Sequence, residues 1–329
     1  MPGHEVSVAA DILAAMTTKS SIGKQRLAGI ATAAELRAAG KSTAQIATLV
    51  RQGALVKVRF GIYARGDLAS GVLIRPNGNQ LLTAAAVLLA QGPGAVASHE
   101  TAAGIYGIEL LKPNNQQVVL TKAPGRNRSG RASVRVHSAR LPADQVAVKY
   151  GVPVTTPART IVDLGRSLEF RAGVVAADSA LHQRLVTKAD LEKVLTECER
   201  WAGAQRAADV IAFADERAES VLESLARVVF RDCGLPPPEL QVWAGGADAV
   251  GRVDFLWRQF RTVAEVDGRM KYTDPSRAVK QLDRDRQLRD AGYEVVHFGW
   301  RHITEAHGYV NSTVRKAFDR GTRAPRPAA

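Results

Sequence analysis

The segment VDFLWRQFRTVAEVDGRMKY (residues 253–272) places Asp254, Glu265 and Asp267 on a short apolar stretch of a chain with a formal net charge of +13. Read as two strands around the turn RQFR, GRVDFLW (251–257) and TVAEVDG (262–268) align Trp257 with Thr262, Phe255 with Ala264 and Val253 with Val266. Apolar residues then share one face, which is the condition that fixes register. The same register sets Asp254 directly across from Glu265, with Cβ atoms about 5 Å apart. Asp267, two residues further on, lies on that face too. Like charges facing each other destabilise a sheet. A divalent ion reverses that argument, because Mg²⁺ is held by a few hard oxygens. Glu219 and Glu223, at i and i+4 of a preceding helix, share a face that can add another carboxylate. Lys271 follows Asp267 by four residues and is placed to orient a water or offset phosphate charge. The alternative is ionic pairing. Arg252 falls opposite Asp267 in this register and can neutralise it, leaving the helix glutamates as surface charge.

These strands need a scaffold. ADERAESVLESLARVVFRDCGL (214–235) reads as an amphipathic helix with Val221, Leu222, Leu225, Val228 and Val229 on its apolar side. Pro236–Pro238 separate it from the strands. SRAVKQLDRDRQLRDAG (276–292) is a charged helix stopped by Gly292, and YEVVHFGW (293–300) a buried strand. Helix, hairpin, helix and strand make a compact α/β core.

Upstream, ATAAELRAAG (31–40) and STAQIATLVRQG (42–53) read as two short helices ended by Gly40 and Gly53, with Ser42 or Thr43 as the second cap. Ile46, Leu49 and Val50 face inward, and ALVKVRFGIYARG (54–66) alternates around Gly61 as a two-stranded wing does. This is the winged-helix order. The second helix would enter the major groove with Thr43, Gln45, Thr48 and Arg51 exposed, and Lys57, Arg59 and Arg65 would lie on the wing, near phosphates or the minor groove. A helical dimerisation module is the competing reading. LLTAAAVLLAQ (81–91) is a buried helix and SHETAAGIYGI (98–108) one broken by Gly104 and Gly107. Residues 116–141 give two strands around a basic loop, GVPVTTPARTIVDLGR (151–166) runs from a strand into a helix started by Pro157, and helices follow near 170–182 and 187–200. His99 and His137 have no acid or cysteine at ligand spacing, so core or surface roles are expected. No Walker loop or dinucleotide glycine motif is present.

Charge is unevenly distributed. Residues 215–313 carry 14 Lys/Arg against 16 Asp/Glu, whereas the last 16 residues carry 5 against 1. No acid stands between Glu109 and Asp144, where Lys112, Lys122, Arg126, Arg128, Arg131, Arg135 and Arg140 lie. Such a block suits a polyanion, because each phosphate contact releases counterions. With 329 residues, 46% of them hydrophobic, the chain is long enough for two or three domains with sizeable cores. No apolar run reaches the ~18–20 residues that span a bilayer, and the start is not a signal peptide, so a cytoplasmic location is expected. Cys198 and Cys233 are far apart and read as free thiols.

Residues 223–300 resemble the endonuclease-like family called domain of unknown function 559, grouped with very-short-patch-repair endonucleases in the PD-(D/E)xK superfamily. The resemblance rests on the helix Glu, the strand Asp, the Glu-Val-Asp-Gly of 265–268, Asp283 and Arg286, and Gly-Tyr before the last strand. It implies that Glu223, Asp254 and Glu265 hold Mg²⁺, with Asp267 adjoining. The superfamily pattern wants Lys where Asp267 stands, and the repair branch a histidine near Lys271. Residues ~20–170 look like the winged-helix and following domains of AbiEi-type antitoxins of type IV toxin–antitoxin systems, through the helix–wing segment, VASHETAAGIYGIEL, VVLTKAPGR and GVPVTTPARTIVDL. In that family the winged helix represses its own operon.

The sequence therefore predicts an α+β multidomain chain. Its parts are a winged-helix domain (1–69), a mixed α/β middle domain (70–212), a restriction-endonuclease-like core (213–313) and a basic, disordered tail (314–329). The expected catalytic residues are Glu223, Asp254, Glu265, Asp267 and Lys271. The expected DNA contacts are Thr43, Gln45, Thr48, Arg51, Lys57, Arg59, Arg126, Arg128 and Arg131. Expected partners are double-stranded DNA and a cognate toxin or a second copy. Two functions compete: a Mg²⁺-dependent endonuclease hydrolysing phosphodiesters, and a non-enzymatic regulator that keeps the nuclease fold as scaffold. Action on RNA is disfavoured, since no aromatic platform interleaves the basic blocks.

Overall fold

The computed structural model describes residues 29–73, 78–91, 94–112, 117–124, 133–245, 251–267 and 275–323. The chain divides into two compact units: residues 1–168 with 185–208, and residues 169–184 with 209–329.

The first unit starts with β1 (Ile30–Thr32), α1 (Ala33–Ala38), α2 (Thr43–Arg51), β2 (Leu55–Arg59) and β3 (Ile62–Arg65), the strands ordered β1-β3-β2. Each helix is started by a reciprocal capping box, Thr32 with Glu35 and Ser42 with Gln45. Each box satisfies two backbone donors that a helix start leaves open. Leu36, Ile46, Leu49 and Leu55 make a small core under α2, so the rest of that helix is free to face outward. The β2–β3 turn holds Phe60 and Gly61, and Gly61 takes φ +72, which costs a glycine little.

The same unit continues with α3 (Gly66–Leu73), α4 (Gly78–Gln91), β4 (Ala95–Ala97), α5 (His99–Tyr106), β5 (Val118–Lys122), β6 (Val134–Ser138), β7 (Val146–Lys149), β8 (Val152–Thr155) and α6 (Pro157–Ser167). Beyond these comes α8 (Lys188–Glu197), counting the later α7 in chain order. The five strands run β6-β5-β4-β8-β7. Ile30, Ile62 and Ala64 share one buried cluster with α4, β4 and β5, so one face of the small sheet packs against this one, apart from the core under α2. The expected break at Gly104 is absent. Helix α5 runs through it to Gly107 (φ +77), and the missing Cβ at 104 makes room for the Gln80 side chain. Strands β5 and β6 pair in parallel.

The second unit holds α7 (Phe170–His182), the end of α9 (Ala204–Phe213), α10 (Val221–Asp232), β9 (Glu239–Ala244), β10 (Gly251–Trp257), β11 (Thr262–Asp267), α11 (Pro275–Asp290), β12 (Glu294–Gly299), α12 (Trp300–Glu305) and α13 (His307–Arg323). Its sheet runs β12-β11-β10-β9, antiparallel except for the parallel β11–β12 pair. The hairpin register is the one the apolar pattern dictates: Phe255 opposite Ala264, Leu256 opposite Val263, Trp257 opposite Thr262. Phe230 meets Phe255, Trp257 and Phe298 edge-on in the core, with ring centroids 5.1–6.4 Å apart.

Two features depart from the sequence reading. Residues 169–184 pack with 209–329, because Asp178 on α7 and Arg227 on α10 form a buried ion pair at 2.6 Å. Residues 314–323 are helix rather than disordered tail, with Val314, Ala317 and Phe318 buried. Phe318 stacks on Phe260 at 4.0 Å, and Gly321 lets the helix meet the Phe260 backbone. The charge of the tail hid its i, i+3, i+4 apolar stripe. Residues 324–329 lie outside the described residues. Among the described residues no helix is long and apolar enough to cross a membrane.

Candidate functional site

Four side chains line up across the second sheet at one level. Asp254 lies between the pairs Val253–Val242 and Phe255–Leu240, which sets it opposite Gln241, and Glu265 pairs with His297. The row is Gln241 (β9), Asp254 (β10), Glu265 (β11) and His297 (β12). Glu223 reaches it from the first turn of α10, where Ser220 caps the helix. Gln241 Nε2 donates to Glu223 Oε2 at 2.9 Å and to Asp254 Oδ1 at 3.1 Å. Its backbone sits at φ +52, a left-handed conformation rare inside a strand. The Val266 amide donates to Asp254 Oδ2 at 2.9 Å, and Arg284 Nη2 donates to Glu265 Oε1 at 2.9 Å.

The electrostatics follow from burial. Desolvation, reinforced by the Asp254 charge, pushes the Glu265 carboxyl up to about 8. At neutral pH Glu265 is therefore mostly protonated and hydrogen-bonds Asp254. Burial also raises Glu223, with Asp254 adding to it. His297 is raised by its bond to Asp267 and by Asp285, which lies 2.8 Å from its Nε2.

The structure thus brings Glu223, Asp254 and Glu265 together, and sets Asp267 at the end of the row facing His297, 3.7 Å away. Lys271 lies outside the described residues. Two expectations are corrected. Glu219 is not on the helix with Glu223 but precedes the Ser220 cap, donating its amide to Glu223 Oε2. Arg252, offered as the neutraliser of Asp267, pairs with Glu219 at 2.8 Å instead. Gln241, Arg284 and His297 were missed. The alternation of YEVVHFGW offered a weak signal for His297, while nothing local distinguishes Arg284 among the arginines of α11.

Among the described residues no three His, Cys, Asp or Glu side chains converge on a point that could hold an ion. The carboxylate oxygens accept from Gln241, Val266, Arg284 and Ser220.

On the first unit, Thr43, Gln45 and Arg51 are exposed along α2 and Thr48 is half-buried. Gln45 is partly committed, its Oε1 accepting from the Ser42 amide at 2.8 Å, and Arg51 donates to Thr48 Oγ1 at 3.0 Å. Lys57 is exposed above the Phe60 ring, which is 87% accessible at the tip of the wing. Arg59 turns inward and donates to Ser133 Oγ at 2.6 Å. Arg126, Arg128 and Arg131 lie outside the described residues. Lys122 drops out of the basic block: it is buried against Gln91.

A third cluster gathers motif residues to which the sequence reading gave no chemistry. His99, buried with φ +51, stacks on His137 with ring centroids 4.0 Å apart. Arg159, fully buried, donates from Nε to Asp163 Oδ2 at 2.8 Å and from Nη1 to Gln145 Oε1 at 2.6 Å. Arg166 donates to Asp163 Oδ1 at 3.1 Å, and both guanidinium groups lie on the Trp201 ring. Burial pulls both histidines below their ordinary pKa, His99 the further.

Comparison with known proteins bears on the first unit most. The chain is 29% identical over 281 residues to two Mycobacterium tuberculosis proteins, the uncharacterized proteins Rv2248 of strain H37Rv and MT2308 of strain CDC 1551. Each alignment covers 85% of this chain and 98% of the relative. Among solved structures, the RV2827C protein of M. tuberculosis aligns with TM-score 0.36 and 19% identity, over 56% of this chain and 71% of that one. Residues 25–66 match the family described as transcriptional regulator, AbiEi antitoxin, and residues 94–213 match the AbiEi antitoxin C-terminal domain. The front of this chain carries AbiEi antitoxin domains.

Proposed function

We propose that the protein is a DNA-binding regulator of the AbiEi antitoxin type, reading duplex DNA through α2 and the β2–β3 wing. The observation that carries this reading is the division of labour on α2. Ile46 and Leu49 are buried while Thr43, Gln45 and Arg51 face solvent, and Lys57 and Phe60 project beside them from the wing. Polar and basic groups on an otherwise unencumbered helix suit base edges, and the wing cation suits phosphate. The family descriptions agree with a regulatory, DNA-binding role, and the +13 charge suits a polyanionic partner. A cognate toxin, or a second copy of the chain, is the protein partner this reading implies. The acid row of the second unit then serves as structure: a proton, Gln241 and Arg284 neutralise it.

A second reading keeps the endonuclease. It is favoured by the Asp254–Glu265 juxtaposition, a repulsion that a divalent ion relieves as well as a proton does. It requires the Gln241 and Arg284 bonds to open, with Asp254, Glu265 and Glu223 as the residues that would take Mg²⁺. Bound there, the ion would polarise a phosphodiester.

Fluorescence anisotropy on duplex DNA, first with selected sequences and then across a salt series, tests the first reading. Arg51→Ala and Lys57→Ala should each weaken binding and reduce the log–log salt slope by about one. Unchanged affinity in both variants would overturn it. Plasmid cleavage that depends on Mg²⁺ or Mn²⁺ and disappears in an Asp254→Ala/Glu265→Ala double variant would establish the second.

A further inference from the structure

The stacked histidines and paired arginines of the first unit form a built cleft outside the groups used so far. His99 comes from the start of α5, His137 from β6, and Arg159, Asp163 and Arg166 from successive turns of α6. Together with Thr121 and Ser138 they line a half-open cavity of about 220 Å³. That is smaller than the roughly 300–1,000 Å³ of sites that enclose drug-sized ligands. It suits a single polar group with a short attachment.

Three observations give the group its chemistry. First, Arg159 is fully buried, and among the described residues its Nη2 has no hydrogen-bond partner. A guanidinium nitrogen held out of water without an acceptor is costly, and such an orphan donor calls for an explanation. Second, two guanidinium groups face one carboxylate, Asp163, so the cleft keeps an excess positive charge. Arginine forks match phosphate oxygens in pairs. Third, His99 Nδ1 is engaged by Ser98 Oγ at 3.0 Å, and His137 makes no side-chain hydrogen bond among the described residues. Ring nitrogens therefore remain to donate to an anion. His99 also holds its place with φ +51, a non-glycine backbone in a sparsely populated region, as is common where a side chain is positioned for a ligand.

We propose that this cleft binds a phosphate oxyanion, with Arg159, Arg166 and His137 as its donors. The phosphate is either the end of a free nucleotide or a backbone phosphate of DNA. Both present the same doubly or singly charged oxygens to the same donors.

The experiment is thermal unfolding of the full chain with inorganic phosphate, a nucleoside 5′-monophosphate, and NaCl at matched ionic strength. The wild type is compared with His137→Asn and Arg166→Gln. A ligand that binds only the folded state raises Tm in a saturable way. Phosphate should raise Tm beyond the NaCl control, and each variant should need roughly tenfold more phosphate for the same shift. The His137 ring-proton resonance should move on titration, a signature that a merely structural histidine would not give. A mononucleotide saturating below inorganic phosphate assigns the site to free nucleotide. Duplex affinity lowered by Arg166→Gln, with a smaller salt slope, assigns it to backbone phosphate. Equal shifts with phosphate and NaCl, or equal phosphate responses in wild type and both variants, would overturn the proposal. Loss of DNA binding in Arg51→Ala with the phosphate response intact separates this site from the winged-helix reading.

Discussion

Two buried acids, Asp163 in the first unit and Glu265 in the second, are both hidden from water, and they are neutralised in different ways. Asp163 lies between two arginines, at 2.8 Å from Arg159 and 3.1 Å from Arg166. Burial pushes its pKa up and the guanidinium groups pull it down. The net direction is upward, burial outweighing the two guanidinium groups that pair with it. Among the described residues Glu265 pairs with one guanidinium, from Arg284, and has Asp254 beside it. Its cheaper neutral state is the acid, and its pKa rises to about 8. A buried charge must be paired or discharged, and the number of cations within reach decides which. The first arrangement rests on two ion pairs. The second responds to protons and, if its hydrogen bonds open, to metal.

The same isosteric exchange, acid to amide, should therefore have opposite consequences at the two sites. The largest effect is expected at Asp163. Asp163→Asn leaves two guanidinium groups without their counter-charge, and breaking a buried pair in this way costs about 3–5 kcal/mol. Urea unfolding should show a lower midpoint with an unchanged slope. Asp178→Asn, which strips the partner from Arg227, should lose a similar amount; if either costs under ~1 kcal/mol, the ion pairs are not what holds these helices.

Glu265→Gln should be close to neutral at pH 5–6, where the wild-type residue already carries a proton. The raised pKa means that the folded state keeps this proton between pH ~4.5 and ~8 while the unfolded chain has lost it. Wild-type stability from this group is thus full below the unfolded pKa and falls as pH rises to 8. The variant should lack that decline and exceed the wild type at pH 9. A variant less stable than the wild type at pH 9 would mean that the ionised carboxylate is favoured in the fold.

A smaller loss, about 1 kcal/mol, is expected for Gln241→Ala, whose amide bridges Glu223 and Asp254, because each carboxylate keeps a second donor, the Glu219 and Val266 amides. The smallest is Ser42→Ala, which removes one half of the α2 capping box at about 0.5–1 kcal/mol. The Gln45 side chain accepts from the backbone amide of residue 42, which alanine retains, so duplex affinity should be little changed.

What could be read from the sequence follows the same division between local and distant causes. The helix caps at Thr32, Ser42 and Thr156, the stops at Gly40 and Gly53, and the β10–β11 register are set by neighbours a few residues away, and each follows from its segment alone. Glu223, Asp254 and Glu265 were found together because the hairpin register and one helix turn suffice to place them. Their partners were not, because Gln241, Arg284 and His297 arrive from three other elements whose side-chain directions depend on tertiary packing. The Arg159–Asp163 pair is i, i+4 on one helix and was within reach. The convergence of His99 and His137 on it required the strand order β6-β5-β4-β8-β7, in which β4 and β8 are brought side by side from more than 50 residues apart. The α13 stripe was passed over since its charged residues dominate the composition.

On the regulator reading, a proton on Glu265 rather than a divalent ion closes the acid row. Carboxyl ¹³C titration of Glu265, assigned by its loss in Glu265→Gln, tests this directly when run with and without 10 mM-scale Mg²⁺. The expected result is a titration near pH 8 that Mg²⁺ leaves in place. A titration in the ordinary glutamate range, or one that collapses downward by more than a unit when Mg²⁺ is added, would contradict it and shift the balance to the endonuclease.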